Sequence, residues 1–176
     1  MSLREIITIP NEVLKKKAKK VTDFGKDFQT LIDDMIETMR DAPGVGLAAP
    51  QVNILQRLIV VEYGDEEDET VDPKLFVMIN PEITRESEDN LIGMEGCLSI
   101  PNYFGDVERA YAVTVKAKNR HGKNMKVKAK GWLARIIQHE IDHLNGVLFI
   151  DKALKIYSKE EIEAMAENDE VEIEEE

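Results

Sequence analysis

The residues best suited to chemistry are His139, Glu140, Ile141, Asp142 and His143, an H-E-x-x-H run. On a helix, positions i and i+4 project from one face about 6 Å apart, so two imidazoles can reach one metal ion. Glu140 then stands beside the water that such a metal activates, which is the arrangement of metal-assisted hydrolysis. The chain has three histidines, so two of them at this spacing with a glutamate correctly placed is a strong signal. The bland alternative is a pair of exposed histidines on a surface helix. His121, the third, falls in an expected hairpin turn and is read as a turn residue.

A catalytic metal of this kind takes three protein ligands and leaves one position open. One metallopeptidase pattern continues through Gly146 and needs histidine at position 149, where this chain has Phe149. A second takes a glutamate further downstream, near Glu160, Glu161 or Glu163, but that segment is so acidic that a match comes easily by chance. The remaining soft donor is Cys97. Taken alone, a single cysteine is most simply a small buried hydrophobe.

Cys97 lies in Glu95-Gly96-Cys97-Leu98-Ser99-Ile100-Pro101. Upstream runs Gly44-Val45-Gly46-Leu47-Ala48-Ala49-Pro50-Gln51, and downstream Gln138-His139-Glu140-Ile141-Asp142-His143-Leu144. With these segments complete and in order, the chain closely resembles the peptide deformylase family, and the likeness in spacing runs from about Ile7 to Lys152. The resemblance implies a metal bound by Cys97, His139 and His143, usually iron(II) in the cell, with zinc, nickel or cobalt as substitutes. It implies that Glu140 is a proton carrier rather than a ligand, and that Gln51 and the backbone N–H of Leu98 hold the formyl oxygen as it gains charge. Losing one such donor typically costs ~10²-fold or more in rate.

The implied reaction is hydrolysis of the formyl group from N-formylmethionyl nascent peptides, releasing formate. The family binds its peptide as an added strand beside Val45 and Gly46 on one side and Gly96 to Leu98 on the other. Val45, Leu133 and Ile136 are candidates for the methionine pocket; the bland alternative is ordinary core. Gly44 and Gly46 read equally well as loop glycines. Glu95 and Arg109 either pair to brace the Cys97 strand or form an ordinary surface pair. The alternative enzyme is another mononuclear metal amidase or peptidase using the same helix. A structural metal domain would need a fourth ligand, and three credible ones are visible.

The chain departs from the family in two places. Some bacterial members contact the ribosome through a basic C-terminal helix, whereas the segment after Lys159 carries ten acids here and is repelled by RNA phosphate. Tyr103, Phe104 and Gly105 follow the cysteine motif where other members carry a charged residue, which alters the outer edge of the peptide groove.

The elements that must position these residues follow from periodicity. Phe28, Leu31, Ile32, Met35, Ile36 and Met39 predict an amphipathic helix over Lys26 to Arg40, stopped by the run Asp41 to Gly44. Asn11 caps a short basic helix over Val13 to Lys20. Leu58 to Val61 and Leu75 to Ile79 predict strands. Alternation over Ala110 to Lys118 and Met125 to Ala129 predicts a hairpin turning at Arg120 to Gly122. Leu133, Ile136, Ile137, Ile141 and Leu144 mark the motif helix, closed by Asn145 and Gly146. Val147 to Ile150 predicts a last strand, and Ser158 with Glu161 a capped helix through about Ala166. Antiparallel runs flanked by helices give an α+β class. The expected architecture is one compact domain, short antiparallel or mixed sheets around a central H-E-x-x-H helix, with helices at each end. Residues 1–158 form the catalytic domain, and 159–176 an acidic, partly disordered helix or tail.

At 176 residues the chain can bury a full core without staples. One cysteine excludes an intrachain disulfide, and no apolar run approaches the ~20 residues that span a bilayer. With no secretory leader apparent, the expected compartment is the cytoplasm, without a membrane partner. The net charge of −12 divides into −7 over residues 62–72 and −9 over 159–176, leaving +4 elsewhere. Linear charge patterning therefore suggests no nucleic-acid partner.

Overall fold

The computed structural model describes residues 2–64 and 67–174, with side chains described up to Asp169. The long apolar stripe of the first helical segment forms α1 (Lys26–Asp41), which buries Phe28, Leu31, Ile32, Met35, Ile36 and Met39. A five-stranded antiparallel sheet runs in the order β1 (Gly46–Ala48), β2 (Leu58–Tyr63), β3 (Lys74–Glu86), β6 (Ala112–Lys118), β7 (Asn124–Lys130). A three-stranded sheet takes β4 (Asn90–Cys97), β5 (Ile100–Ala110) and β8 (Lys155–Ser158), with β4 at one edge. This is the expected α+β class, with the motif helix α2 (Gly131–Leu144) between the two sheets' faces.

The unbroken apolar run Leu58-Ile59-Val60-Val61 has a physical cause in this arrangement. Leu58 and Val60 face α1, while Ile59 and Val61 join the cluster under α2, so β2 is buried on each side. Farther along the same sheet α1 no longer covers the outer face. There β6 and β7 alternate, with Val113, Val115, Val127 and Ala129 inward against α2 and Lys116, Lys126, Lys128 and Lys130 outward.

Several boundaries differ from expectation, each for a local reason. The capped helix at Asn11 is a single 3₁₀ turn, Glu12–Lys15. Beyond it the chain is pulled extended, with Ala18 N–H donating to Leu144 and Lys19 bridging Gln56. β3 runs well past Ile79 through a bulge that accommodates Pro81, where Asn80 adopts a positive φ of 52° and its amide clasps Val21. Val147 to Ile150 is not a strand. Asp151 accepts the Leu148 N–H and starts a short turn, α3 (Phe149–Lys152), and the last strand comes later as β8. Gly146 takes the left-handed φ of 73° expected after α2 and also packs where a Cβ would meet the Lys15 carbonyl oxygen. Ser158 and Glu161 cap α4 reciprocally, and that helix (Lys159–Glu174) outruns Ala166. Of the acidic tail, Glu175 and Glu176 lie outside the described residues.

Candidate metal centre

α2 presents two faces. Ala134, Ile137, Ile141 and Leu144 join the sheet's core, while Trp132, Arg135, Ile136, His139 and Glu140 line a cavity of about 450 Å³ against β4 and the β1 segment. His139 and His143, one turn apart, have ring centroids 5.1 Å apart. Cys97, the last residue of β4, arrives from the β4–β5 hairpin, where a register shift between Gly96 and Cys97 turns the chain toward the helix. Its Sγ lies 3.4 Å from His143 Nε2, and the donor atoms of Cys97, His139 and His143 all fall within 4.8 Å of one another.

This donor set fits a metal ion. Around a tetrahedral ion with the usual sulfur and nitrogen bond lengths, ligand atoms stand ~3.3–3.6 Å apart; the Cys97–His143 pair already has that spacing, and the widest pair, no more than 4.8 Å, closes by roughly 1 Å. Burial, followed by the charges of His139 and Arg109, holds His143 well below its ordinary pKa, in the neutral form that coordinates metal. For His139 burial opposes the charge, but hydrogen bonds with Cys97 and Glu95 outweigh it and raise the pKa to about 10. Metal binding there must release a proton.

The ligand helix is braced from behind by Glu95. Its Oε1 accepts from His139 Nδ1 and Arg109 Nη2, each at 2.8 Å, and its Oε2 from Arg109 Nε at 2.9 Å and Arg135 Nη1 at 2.6 Å. Burial alone would raise the Glu95 pKa; the bonds to Arg109 and His139 overcome this and lower it to about 2. The Glu95–Arg109 pair anticipated from sequence is thus buried and bidentate, with both side chains at most 5% exposed. Arg109 also holds Asp142 of the motif, and Arg135 ties α2 to the Leu91 and Val107 carbonyls. A carboxylate behind a ligating imidazole fixes both its tautomer and its orientation. Arg135 was absent from the sequence reading; its signal was its place one turn before His139.

Glu140 is 4% exposed, and burial pushes its carboxyl up to about 7, near the operating range of a general base. Its Oε1 is 3.9 Å from His139 Nε2, and its Oε2 has no hydrogen-bond partner among the described residues. A Cβ on Gly46 would stand 2.9 Å from Glu140 Oε1 and 3.0 Å from its Cγ, so the carboxylate rests against bare backbone. Gln51 is oriented by its own loop: its Oε1 accepts from Ala48 N–H at 3.0 Å, which turns its amide NH₂ toward Ser99 Oγ at 3.1 Å and Cys97 Sγ at 3.6 Å.

Val45, Gly46, Gln51, Gly96, Cys97, Leu98, Ile136, His139 and Glu140 therefore meet around one cavity. Leu133 does not join them. It packs against the sheet core and borders a separate cavity with Phe76 and Tyr111. Ile136 and Trp132, three and seven residues before His139, share its face of the helix, whereas a residue six before it points away. Met94, Phe104, Tyr63 and Trp132 also line the cavity; of these, sequence reading had placed Phe104 alone, at the outer edge of the peptide groove.

A family model described as polypeptide deformylase matches residues 3–159. Peptide deformylase 1 of Bacillus subtilis (strain 168) is 48% identical over 165 residues, covering 94% of this chain and 99% of that protein. The peptide deformylase of Thermodesulfovibrio yellowstonii is 51% identical over 152 residues, covering 86% and 90%. The crystal structure of peptide deformylase from Thermotoga maritima superimposes with a TM-score of 0.81 at 40% identity, covering 88% of this chain and 100% of that one. That from Ehrlichia chaffeensis in complex with actinonin gives 0.82 at 38% identity, covering 88% and 91%.

Proposed function

This chain belongs to the polypeptide deformylase family, and from that premise we propose which of its residues hold the metal and which carry out hydrolysis of the formyl group. The family is metal-dependent and acts on N-formylmethionyl nascent peptides. The observation that carries the assignment is that Cys97, His139, Glu140 and Gln51 line one cavity while the donor atoms of Cys97, His139 and His143 lie within 4.8 Å of one another.

Cys97, His139 and His143 are the ligands in this reading. The ion supplies Lewis acidity toward the formyl carbonyl and makes water a better nucleophile at neutral pH. Glu140 accepts the proton of the attacking water on a carboxylate tuned near 7 and passes it to the departing amine. Gln51 donates its NH₂, and Leu98 its backbone N–H, to the carbonyl oxygen as it becomes an oxyanion. Peptide backbone adds alongside the edge strand β4 at Gly96, opposite Val45 and Gly46, so binding reads backbone rather than sequence. Ile136, with Trp132 and Met94 beside it, supplies apolar contact for the methionine side chain.

Iron(II) is the ion proposed for the cell, with zinc, nickel or cobalt able to replace it, in keeping with one thiolate and two imidazoles. The proposed compartment is the cytoplasm, where nascent chains are made. Among the described residues no helix is long and apolar enough to cross a membrane. The acidic α4 takes no part in docking on RNA.

The test is formate release from formyl-Met-Ala-Ser by metal-loaded protein, with acetyl-Met-Ala-Ser as control. Release from the formyl peptide alone, lost in Glu140→Ala at unchanged metal content, is the expected result. Silence from a folded, loaded sample sinks the reading.

A further inference from the structure

We propose that the outer face of the β3–β6–β7 sheet is a docking surface for the phosphate backbone of double-stranded RNA. The observation is an assembled band of cations that linear patterning hides. Lys116, Lys126, Lys128, Lys130 and Arg85 line one cavity of about 800 Å³ on that face. Lys116 also lines the adjoining cavity of about 480 Å³, shared with Lys20, Arg57 and Lys118. Among the described residues Glu82 is the one acid lining either cavity. The ion pairs formed among the described residues involve none of the lysines named.

Solvation of a sheet face does not account for the pattern fully. Lysines along an edge strand such as β7 do discourage sheet extension. However, Lys116 and Lys126 stand directly opposite each other across β6 and β7, a like-charge arrangement that Glu82, opposite Lys116 on β3, offsets from one side only. Same-face residues recur about every 6.6 Å along a strand, and strands lie about 4.8 Å apart, so one phosphate can sit among two or three of these ammonium groups. An anion there removes the repulsion. At the far end Lys128 and Lys130 also border a cavity with Glu67 and Asp72, and on the other side Lys116 faces Glu82, so the stretch with the least acidic offset centres on Lys126.

The chemistry of the lining selects the polyanion. Among the described residues no aromatic side chain lines either cavity, so there is no platform on which unpaired bases would stack, and a duplex is favoured over a single strand. Most exposed large apolar residues, for example Leu91, Ile92 and Trp132, lie elsewhere, and Tyr111 and Val71 reach only the far end beside Lys128 and Lys130, so the centre of the band has nothing to insert into a bilayer. The choice of RNA over other polyanions rests on the deformylase reading, because nascent chains are met at an RNA-rich surface. The inner face of this sheet packs on α2, so an anion held outside leaves the mouth of the metal cavity uncovered.

The experiment uses the full chain and a labelled RNA duplex of about 16 base pairs, followed by anisotropy. With about five phosphate contacts, affinity should fall by about 500-fold between about 50 and 200 mM salt. The triple substitution Lys116→Glu, Lys126→Glu and Lys128→Glu should weaken binding at the lower salt by roughly tenfold or more, and circular dichroism should show an unchanged fold. Lys26→Glu with Lys159→Glu, outside the band, should bind as the parent does. Formate release from a free formyl peptide should be the same in all three proteins; if the parent releases none, the enzyme reading fails separately, whatever the duplex does. Absence of duplex binding by the parent, equal binding by the triple variant, or equal loss in the control pair overturns the docking surface. So does tighter binding to anionic phospholipid vesicles or to polyglutamate.

Discussion

Replacing Glu95 by Gln keeps the shape of the buried side chain and removes its charge. In the native protein each carboxylate oxygen accepts two bonds, one pair from Arg109 Nη2 and His139 Nδ1, the other from Arg109 Nε and Arg135 Nη1. The amide oxygen of Gln can serve one pair; its NH₂ group must face the other pair of donors. Two charge-assisted bonds are therefore lost, at about 1.5–3 kcal/mol each, and two buried guanidinium groups lose their shared counter-charge. Removing one partner of a buried pair costs about 3–5 kcal/mol by an independent measure, so about 4 kcal/mol is expected. For a chain of this length that lowers Tm by about 8–16 °C. Denaturant unfolding in chelator, with metal stripped from both proteins, reads this loss without a contribution from the ion. Metal affinity, measured by competition with a chromophoric chelator, should fall by about 10–100-fold because His139 is no longer held from behind. A metal-free variant within about 1 kcal/mol of the parent would refute the claim that Glu95 holds the two arginines and α2 together.

Gly46→Ala places a methyl group 2.9 Å from Glu140 Oε1, so the carboxylate must move. Turnover should drop by about 10²-fold with metal content and Tm little changed, and near-normal kcat would show that Glu140 tolerates displacement. Asp34 is held below its ordinary value of 3.8 chiefly by the Ser2 N–H, with Arg4 adding to the effect. Because the folded pKa is the depressed one, this stabilisation is fully present above 3.8 and is lost as pH falls through the folded value. Asp34→Asn should therefore lower stability at neutral pH and flatten its decline in acid, as followed by Tm from pH 7 to pH 2; an unchanged acid limb would contradict the N-terminal clasp.

Much of the site was legible because its chemistry is local in sequence. His139 and His143 are fixed by helical spacing alone, and the burial of β2 on each side is visible in four consecutive apolar residues. The β4–β5 hairpin was harder to see, although it delivers Cys97 and Glu95. Its inward positions include Glu95 and Arg109, which look like surface residues until they are paired, while Leu91 and Ile92 are exposed. A buried ion pair inverts the alternation on which strand recognition depends. The short strand β8 was misplaced for a related reason: Val147 to Ile150 is apolar because it packs under β5 as a turn capped by Asp151, not because it pairs.

The same inversion explains how the reactive centre holds its geometry. Two rows of α2 have different tasks, and the helix can keep its ligand row fixed only if something anchors the side away from the sheet. Apolar packing cannot do this, since that side must remain open to substrate. Anchoring falls to groups that act at a point and in a fixed direction: Arg135 reaching back to Leu91, Val107 and Glu95, and Arg109 joining Glu95 to Asp142. Each of these bonds links α2 to the hairpin that supplies the third ligand, Cys97. Ligand spacing is thus set by the distance between one helix and one hairpin, and the buried charges between them fix that distance more sharply than a hydrophobic contact would.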